Sequence, residues 1–243
     1  MIINNEGCDK MLISTRKKLC TVSFIIAICF ILIYLLLLFQ YNKNFNISAS
    51  LLLLIGISFF LISAVMNATA FVNKADQQRY LLLMWKFLLI LYVIELILLL
   101  FFTSEFARDY VVVKGNNYAY YLRYQWLNGT NLVPFRTIMV MIQIFSNPYV
   151  SNTIAILNIF GNIAIFMPLS FFMVLLLKRM NKFWTFLYSI SFILLLVELT
   201  QFFTLTGTMD IDDFILNLTG ALMMYGILRL PFAKRTLNRL LGK

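Results

Sequence analysis

The sequence predicts an all-α, polytopic membrane bundle of about six transmembrane helices, with the N- and C-termini cytoplasmic. Three observations lead there. The chain of 243 residues is 62% hydrophobic and only 12% charged. Apolar runs of about 20 residues recur along it, the length that crosses a hydrocarbon core of about 30 Å. The basic residues gather in alternate polar connections, as the positive-inside rule requires.

That composition narrows the function classes. A net charge of +10 and a pI near 9.6 would point a soluble protein toward nucleic acid. Here topology accounts for the charge, so the expected partner is membrane lipid and no nucleic acid. The chain has no histidine, which removes His general bases, Ser-His-Asp triads and His-ligated zinc or haem. Cys8, Cys20 and Cys29 form no Cys-x-x-Cys pair, so no thiol metal site or redox motif is supported. Arg16-Lys17-Lys18 before an apolar run imitates a signal peptide. That run is about 20 residues long and lacks a small-residue exit, so a retained span is expected.

In chain order, residues 1–18 read as a basic cytoplasmic leader. Spans at about 19–39 and 47–71, with the polar loop ending at Arg79, make an N-terminal two-span hairpin over 19–79. A four-span domain occupies 80–230, with spans at about 80–103, 152–177, 183–204 and 213–230. Leu230-Pro231 closes the last one, because proline disfavours helix in the residue before it. Residues 231–243 form a basic cytoplasmic tail. With the N-terminus inside, the leader, the Asn73–Arg79 loop, the Lys178–Lys182 turn and the tail hold most of the lysine and arginine. The Gln40–Asn46 loop, the 104–151 connection and the acidic stretch at Asp210 are then outside the plasma membrane. Lys86 lies near the inner end of its span, where its stem lets the amine snorkel.

The outer 104–151 connection has its own texture. Tyr110 to Tyr121 reads either as two β-prone segments around a Gly-Asn turn, a small hairpin, or as a tyrosine-rich interfacial loop with no fixed structure. From Pro134 to Phe145 runs an apolar segment too short to span, which suits an interfacial or re-entrant helix. Asn131 is placed to cap it, with Pro134 in its first turn.

The polar residues inside the spans are the candidate site. Asp210, Asp212 and Asp213 put three of the chain's ten acids within four residues, between two apolar runs. A rise of about 1.5 Å per residue places Glu95 and Glu198 about 22 Å from the inner ends of their spans. Asn162 and Asn217 then lie about 15 Å and about 6 Å below the outer surface. All four fall in the outer half of the core. Glu198 shares a helix face with Gln201, and Asn158 with Asn162. These residues predict a polar pocket opening outward. Carboxylates and amides alone suit a hard cation such as Mg²⁺ or Ca²⁺, with Asp210, Asp212, Asp213 and Glu198 as metal candidates. They equally suit a polar headgroup, sugar or amine, with Arg136 offering a cation to an anionic group. No resident cofactor is required. Structural duties compete: interhelical bonding by the asparagines, and helix capping by Asp212 or Asp213.

Four segments in series resemble the VanZ-like family. They are Asn131-Leu-Val-Pro-Phe-Arg-Thr-Ile, Asn158-Ile-Phe-Gly-Asn-Ile with Phe166-Met-Pro-Leu, Glu198-x-x-Gln201, and Asp210-Ile-Asp-Asp-x-Ile-Leu-Asn-x-x-Gly220. The resemblance covers about residues 85–230 and makes the first two spans an addition to the usual four-span domain. It implies a bacterial envelope role like that of the teicoplanin-resistance protein behind the family name. Two positions depart from the family pattern. Leu205-Thr-Gly-Thr-Met209 lacks the arginine members often carry there, and Ser170 stands where glycine is usual. Three functions follow. The leading one is binding of a lipid-linked cell-wall precursor or a lipoglycopeptide tail, lowering teicoplanin sensitivity. The others are a metal-dependent enzyme acting on a lipid carrier and a small transporter or flippase.

Overall fold

The computed structural model describes residues 5–39, 47–101, 117–145 and 152–241. The elements are α1 (Asn5–Phe39), α2 (Ile47–Ala68) with a 3-10 turn at Thr69–Phe71, α3 (Lys74–Phe101), α4 (Tyr118–Asn128) and α5 (Arg136–Phe145). After them come α6 (Thr153–Ile156), a π segment at Leu157–Gly161, α7 (Asn162–Ile165) and α8 (Met167–Leu176). The chain closes with α9 (Phe183–Thr204), α10 (Ile211–Arg229) and α11 (Pro231–Leu240). Among the described residues there is no strand, only one isolated parallel bridge between Asn131 and Asp210. Six helical stretches are long and apolar enough to cross a membrane: Ile13–Leu36, Leu51–Ala68, Asp76–Phe101, Leu157–Leu176, Phe183–Thr204 and Ile211–Arg229. This is the polytopic all-α membrane fold that composition predicts. Only 17% of the first two stretches is buried within the protein, against 39% of the last. Leu36, Leu52, Ile55 and Phe59 therefore face hydrocarbon rather than a protein core.

Several boundaries differ from the sequence reading. Helix α1 begins within the basic leader, at Asn5, and runs unbroken into the first span. The first arm of the expected hairpin lies outside the described residues, as does the Gln40–Asn46 loop. Its second arm is helical, since Tyr118 begins α4. Tyr121, Leu122 and Gln125 are the half-buried positions of that helix, and Tyr118 bonds to the protein one turn earlier. This is a 3.6-residue period, and it overrides the β propensity of tyrosine. The fourth span is interrupted at its π segment and again before Pro168. The tail is a helix whose apolar and basic residues fall on different faces.

Two compact units make up the chain. The first comprises Met1–Glu95 with Arg235–Lys243. In it α1 and α2 pair through small residues: the Ser23 and Ser63 hydroxyls lie 3.1 Å apart, and Ala27 and Ala64 are buried. Small side chains let two helices approach closely in lipid, where burial itself supplies little drive. Tyr34, Ile57 and Leu91 form the core there. Trp85 Nε1 donates to the Leu240 carbonyl at 2.9 Å, tying the end of α11 to α3.

The second unit is Leu96–Lys234, built on α10 packed against α7, α8 and α9. At one end Tyr225 stacks on Phe186 at 4.4 Å and donates to the Asn181 carbonyl at 3.1 Å. Arg229 donates to the same carbonyl and to the Tyr225 hydroxyl, which fastens the basic turn after α8. Midway along, Gly220 meets the backbone of Ile163 so closely that a Cβ would lie 1.7 Å from its carbonyl oxygen. Ser170, fully buried, donates its hydroxyl to the Phe166 carbonyl one turn earlier, which satisfies its polar group. Gly220→Ala is expected to destabilise the protein by about 1–3 kcal/mol, because backbone and not a flexible side chain must move. Thermal unfolding of the detergent-purified variant checks this, with Gly226→Ala, where a Cβ meets nothing within 4 Å, as the silent control.

Candidate functional site

α9 ends on Leu205, which takes the left-handed conformation (φ 58°) usual for glycine at a helix end. Burial of its side chain offsets the strain. The chain then reaches Asp210 with extended backbone (φ −123°, ψ 118°), and α10 starts at the next residue. Asp210 is the N-cap of α10: its Oδ1 accepts the Asp212 amide at 2.8 Å. The sequence predicts that at least one of the three aspartates caps this helix, with Asp212 or Asp213 as the named candidates; Asp210 is the one that does. The carboxylate also reaches a distant segment, accepting from Asn131 Nδ2 at 2.9 Å and from the Thr137 hydroxyl at 2.6 Å. Backbone bonds from Asn131 to Met209 and from Ile211 to Asn131, both 2.9 Å, complete the bridge.

Asp212 caps a different helix. It is fully buried. Its Oδ1 accepts the Phe135 amide at 2.5 Å, and its Oδ2 accepts the Thr137 and Ile138 amides at 2.7 and 3.2 Å. These are the amides that open α5 and have no partner within the helix. Asn131 is therefore not the cap of α5, and Pro134 precedes the first turn instead of joining it. The Asn131 side-chain oxygen takes the Val133 amide at 3.1 Å, folding the loop locally. Between loop and helix Phe135 adopts φ 67°, a strained value for a bulky residue. α5 itself is amphipathic and shorter than a span, matching the expected interfacial segment.

Asp213 faces another partner, accepting from Asn162 Nδ2 at 2.5 Å. Asn162 follows the π segment that contains Asn158. Such single wide turns interrupt the regular backbone ladder and are frequent at functional sites. The side-chain oxygens of Asn158 and Asn217 are buried and accept no hydrogen bond among the described residues. Asn217 is 4% exposed, one helical turn beyond Asp213 and one before Gly220, whose backbone contact lies on α7.

Glu198 and Gln201 lie buried on the same side of α9, as their spacing predicts. Gln201 donates to the Leu100 carbonyl at 3.0 Å. Glu95 belongs to the first unit, where its carboxylate accepts the Tyr34 hydroxyl at 2.8 Å. Arg136 is exposed and makes no ion pair or side-chain hydrogen bond among the described residues. Among those residues no three Asp, Glu or Cys side chains come together as a metal-binding group. Two residues escaped sequence reading. Thr137 joins both aspartates, although its only sequence signal is its place in the Asn131–Ile138 segment. Gln125 donates to the Gly207 carbonyl, docking α4 on the turn after α9; Tyr118 adds a 2.7 Å bond to Phe203. Its signal is a polar residue on the protein-facing row of an aromatic helix.

The model of the VanZ/LLP1 family matches residues 87–232, the stretch that holds every candidate site residue. No curated protein and no solved structure matches the chain.

Removing the Asp212 carboxylate leaves three amides without their acceptor. Asp212→Ala is expected to cost about 1.5–3 kcal/mol for each charge-assisted bond that water does not replace. Hydrogen exchange checks it locally: protection should fall at Thr137 and Ile138 well before it falls in the middle of α9.

Proposed function

The chain belongs to the VanZ/LLP1 family, and from that premise we propose that it is a bacterial envelope protein that binds a surface or lipid-linked ligand and lowers teicoplanin sensitivity. The binding site in this reading is the outward end of the four-span domain. The distribution of lysine and arginine supports that orientation and a plasma-membrane location.

One observation carries the reading. Asn158 and Asn217 present buried acceptor oxygens with no donor among the described residues. A buried acceptor left unpaired costs about 1–3 kcal/mol. Native structures keep such groups where a ligand, ion or water supplies the bond. Both oxygens lack the same thing, a donor, so the group they suit is a hydroxyl, amide or amine. Sugars and the peptide part of cell-wall precursors carry such groups, as do lipoglycopeptides. The aspartates are a frame in this reading. Both oxygens of Asp210 and both of Asp212 are engaged in holding the Asn131–Ile138 segment. Ligand contact then falls to Asn158, Asn217 and the buried Glu198 of α9.

Expression in a teicoplanin-sensitive bacterium tests this. The wild-type chain should raise the inhibitory concentration of teicoplanin, and Asn217→Leu and Glu198→Gln should lose most of the gain at equal membrane abundance. In direct binding, loss of one acceptor should weaken affinity about 10-fold, the equivalent of about 1.4 kcal/mol. Variants with full protection would sink the proposal.

A further inference from the structure

The first unit holds an open apolar groove of about 550 Å³, apart from every candidate site residue of the second unit. Its walls come from three helices: Cys20 and Phe24 on α1, Ala64 and Ala68 on α2, and Tyr80 on α3, with Val72 in the turn between α2 and α3. The walls are apolar and the volume falls in the range of about 300–1,000 Å³ typical of ligand sites. Ala64 and Ala68 explain the space, since two methyl groups stand where the neighbouring α2 positions carry leucine and valine.

Charge is distributed unevenly around it. Lys17 lies one turn before Cys20, and its Nζ sits 5.6 Å from the centre of the Phe71 ring, next in sequence to Val72. Arg16 and Lys18 flank Lys17 along α1, and Lys74 and Arg79 stand in the first two turns of α3 together with Asp76. Lys17 makes no ion pair among the described residues. An open apolar groove beside a cluster of cations complements an amphiphile with an anionic head. Lipid chains gain little from leaving a bilayer for an apolar wall. Selection therefore rests on the head group, through the attraction of lysine and arginine for anionic lipid.

We propose that this groove seats an acyl chain of an anionic phospholipid whose phosphate lies at Lys17. Cys20 supplies the reporter, because it lines the groove and is half-buried. The experiment uses the full chain with Cys8→Ser and Cys29→Ser, reconstituted in discs of phosphatidylglycerol or of phosphatidylcholine. Reaction of Cys20 with N-ethylmaleimide should be several-fold slower in phosphatidylglycerol. Lys17→Gln should abolish that difference. Native mass spectrometry should find phosphatidylglycerol retained on the detergent-purified chain, with retention reduced about fivefold by Lys17→Gln, one cation's share. Filling the groove by Ala68→Phe should also release the lipid. If that variant misfolds, the Lys17 variant still decides the outcome. Equal protection of Cys20 by both lipids, or retention unchanged by Lys17→Gln, would overturn the proposal.

Discussion

The second unit depends on one carboxylate that has no access to solvent. Asp212 is fully buried in a membrane protein, where an unmet charge is among the costliest groups a fold can carry. It is tolerated because three backbone amides converge on it. Those amides stand at the start of α5, so the carboxylate fixes where that helix begins and which α10 turn it abuts. Everything nearby follows from that constraint. Asp210 must then face Asn131 and Thr137, the chain must cross as a two-bond bridge, and Phe135 must enter the left-handed region. The strain at Phe135, of order 1–3 kcal/mol, is comparable with the contribution of its single short bond to Asp212.

Around this anchor the polar groups divide by whether their bonds are closed. Asp210, Asp212 and Gln201 are bonded to protein, and Asp213 meets Asn162. Asn158 and Asn217 keep an open oxygen each. The division separates frame from recognition more cleanly than residue type does, because asparagine appears on both sides of it. Gly220 belongs to the frame too. Its missing side chain brings α10 against α7 just after the π segment, and so sets the distance between the helices that carry Asn217 and Asn158.

The six spans were legible because lipid imposes a simple rule, about 20 apolar residues per crossing. The acidic stretch was legible as a charge anomaly. Which aspartate does what was not. Capping rules are local, and Asp212 caps α5, whose Thr137 amide lies 75 residues earlier in the chain. The partner of Glu95, Tyr34, is 61 residues away and on a span read as an addition to the domain. The first turn of α4, Tyr118–Tyr121, reads as β-prone because tyrosine favours strands by propensity, while the half-buried positions of the helix repeat with a helical period. The π segment has no composition of its own. It differs from α-helix by one residue of register, which sequence does not mark.

The bridge between the loop and α10 also has a direction in time. Residues 131–138 leave the ribosome first, and the carboxylates that close on them follow about 75 residues later. At synthesis rates of about 5–20 residues per second, α5 waits roughly 4–15 s with its leading amides uncapped. During that interval the nascent chain has spans four and five but not the clasp of the last one. Until α10 is made, the leading amides of α5 lack the carboxylate that holds them, so the last span closes the bridge.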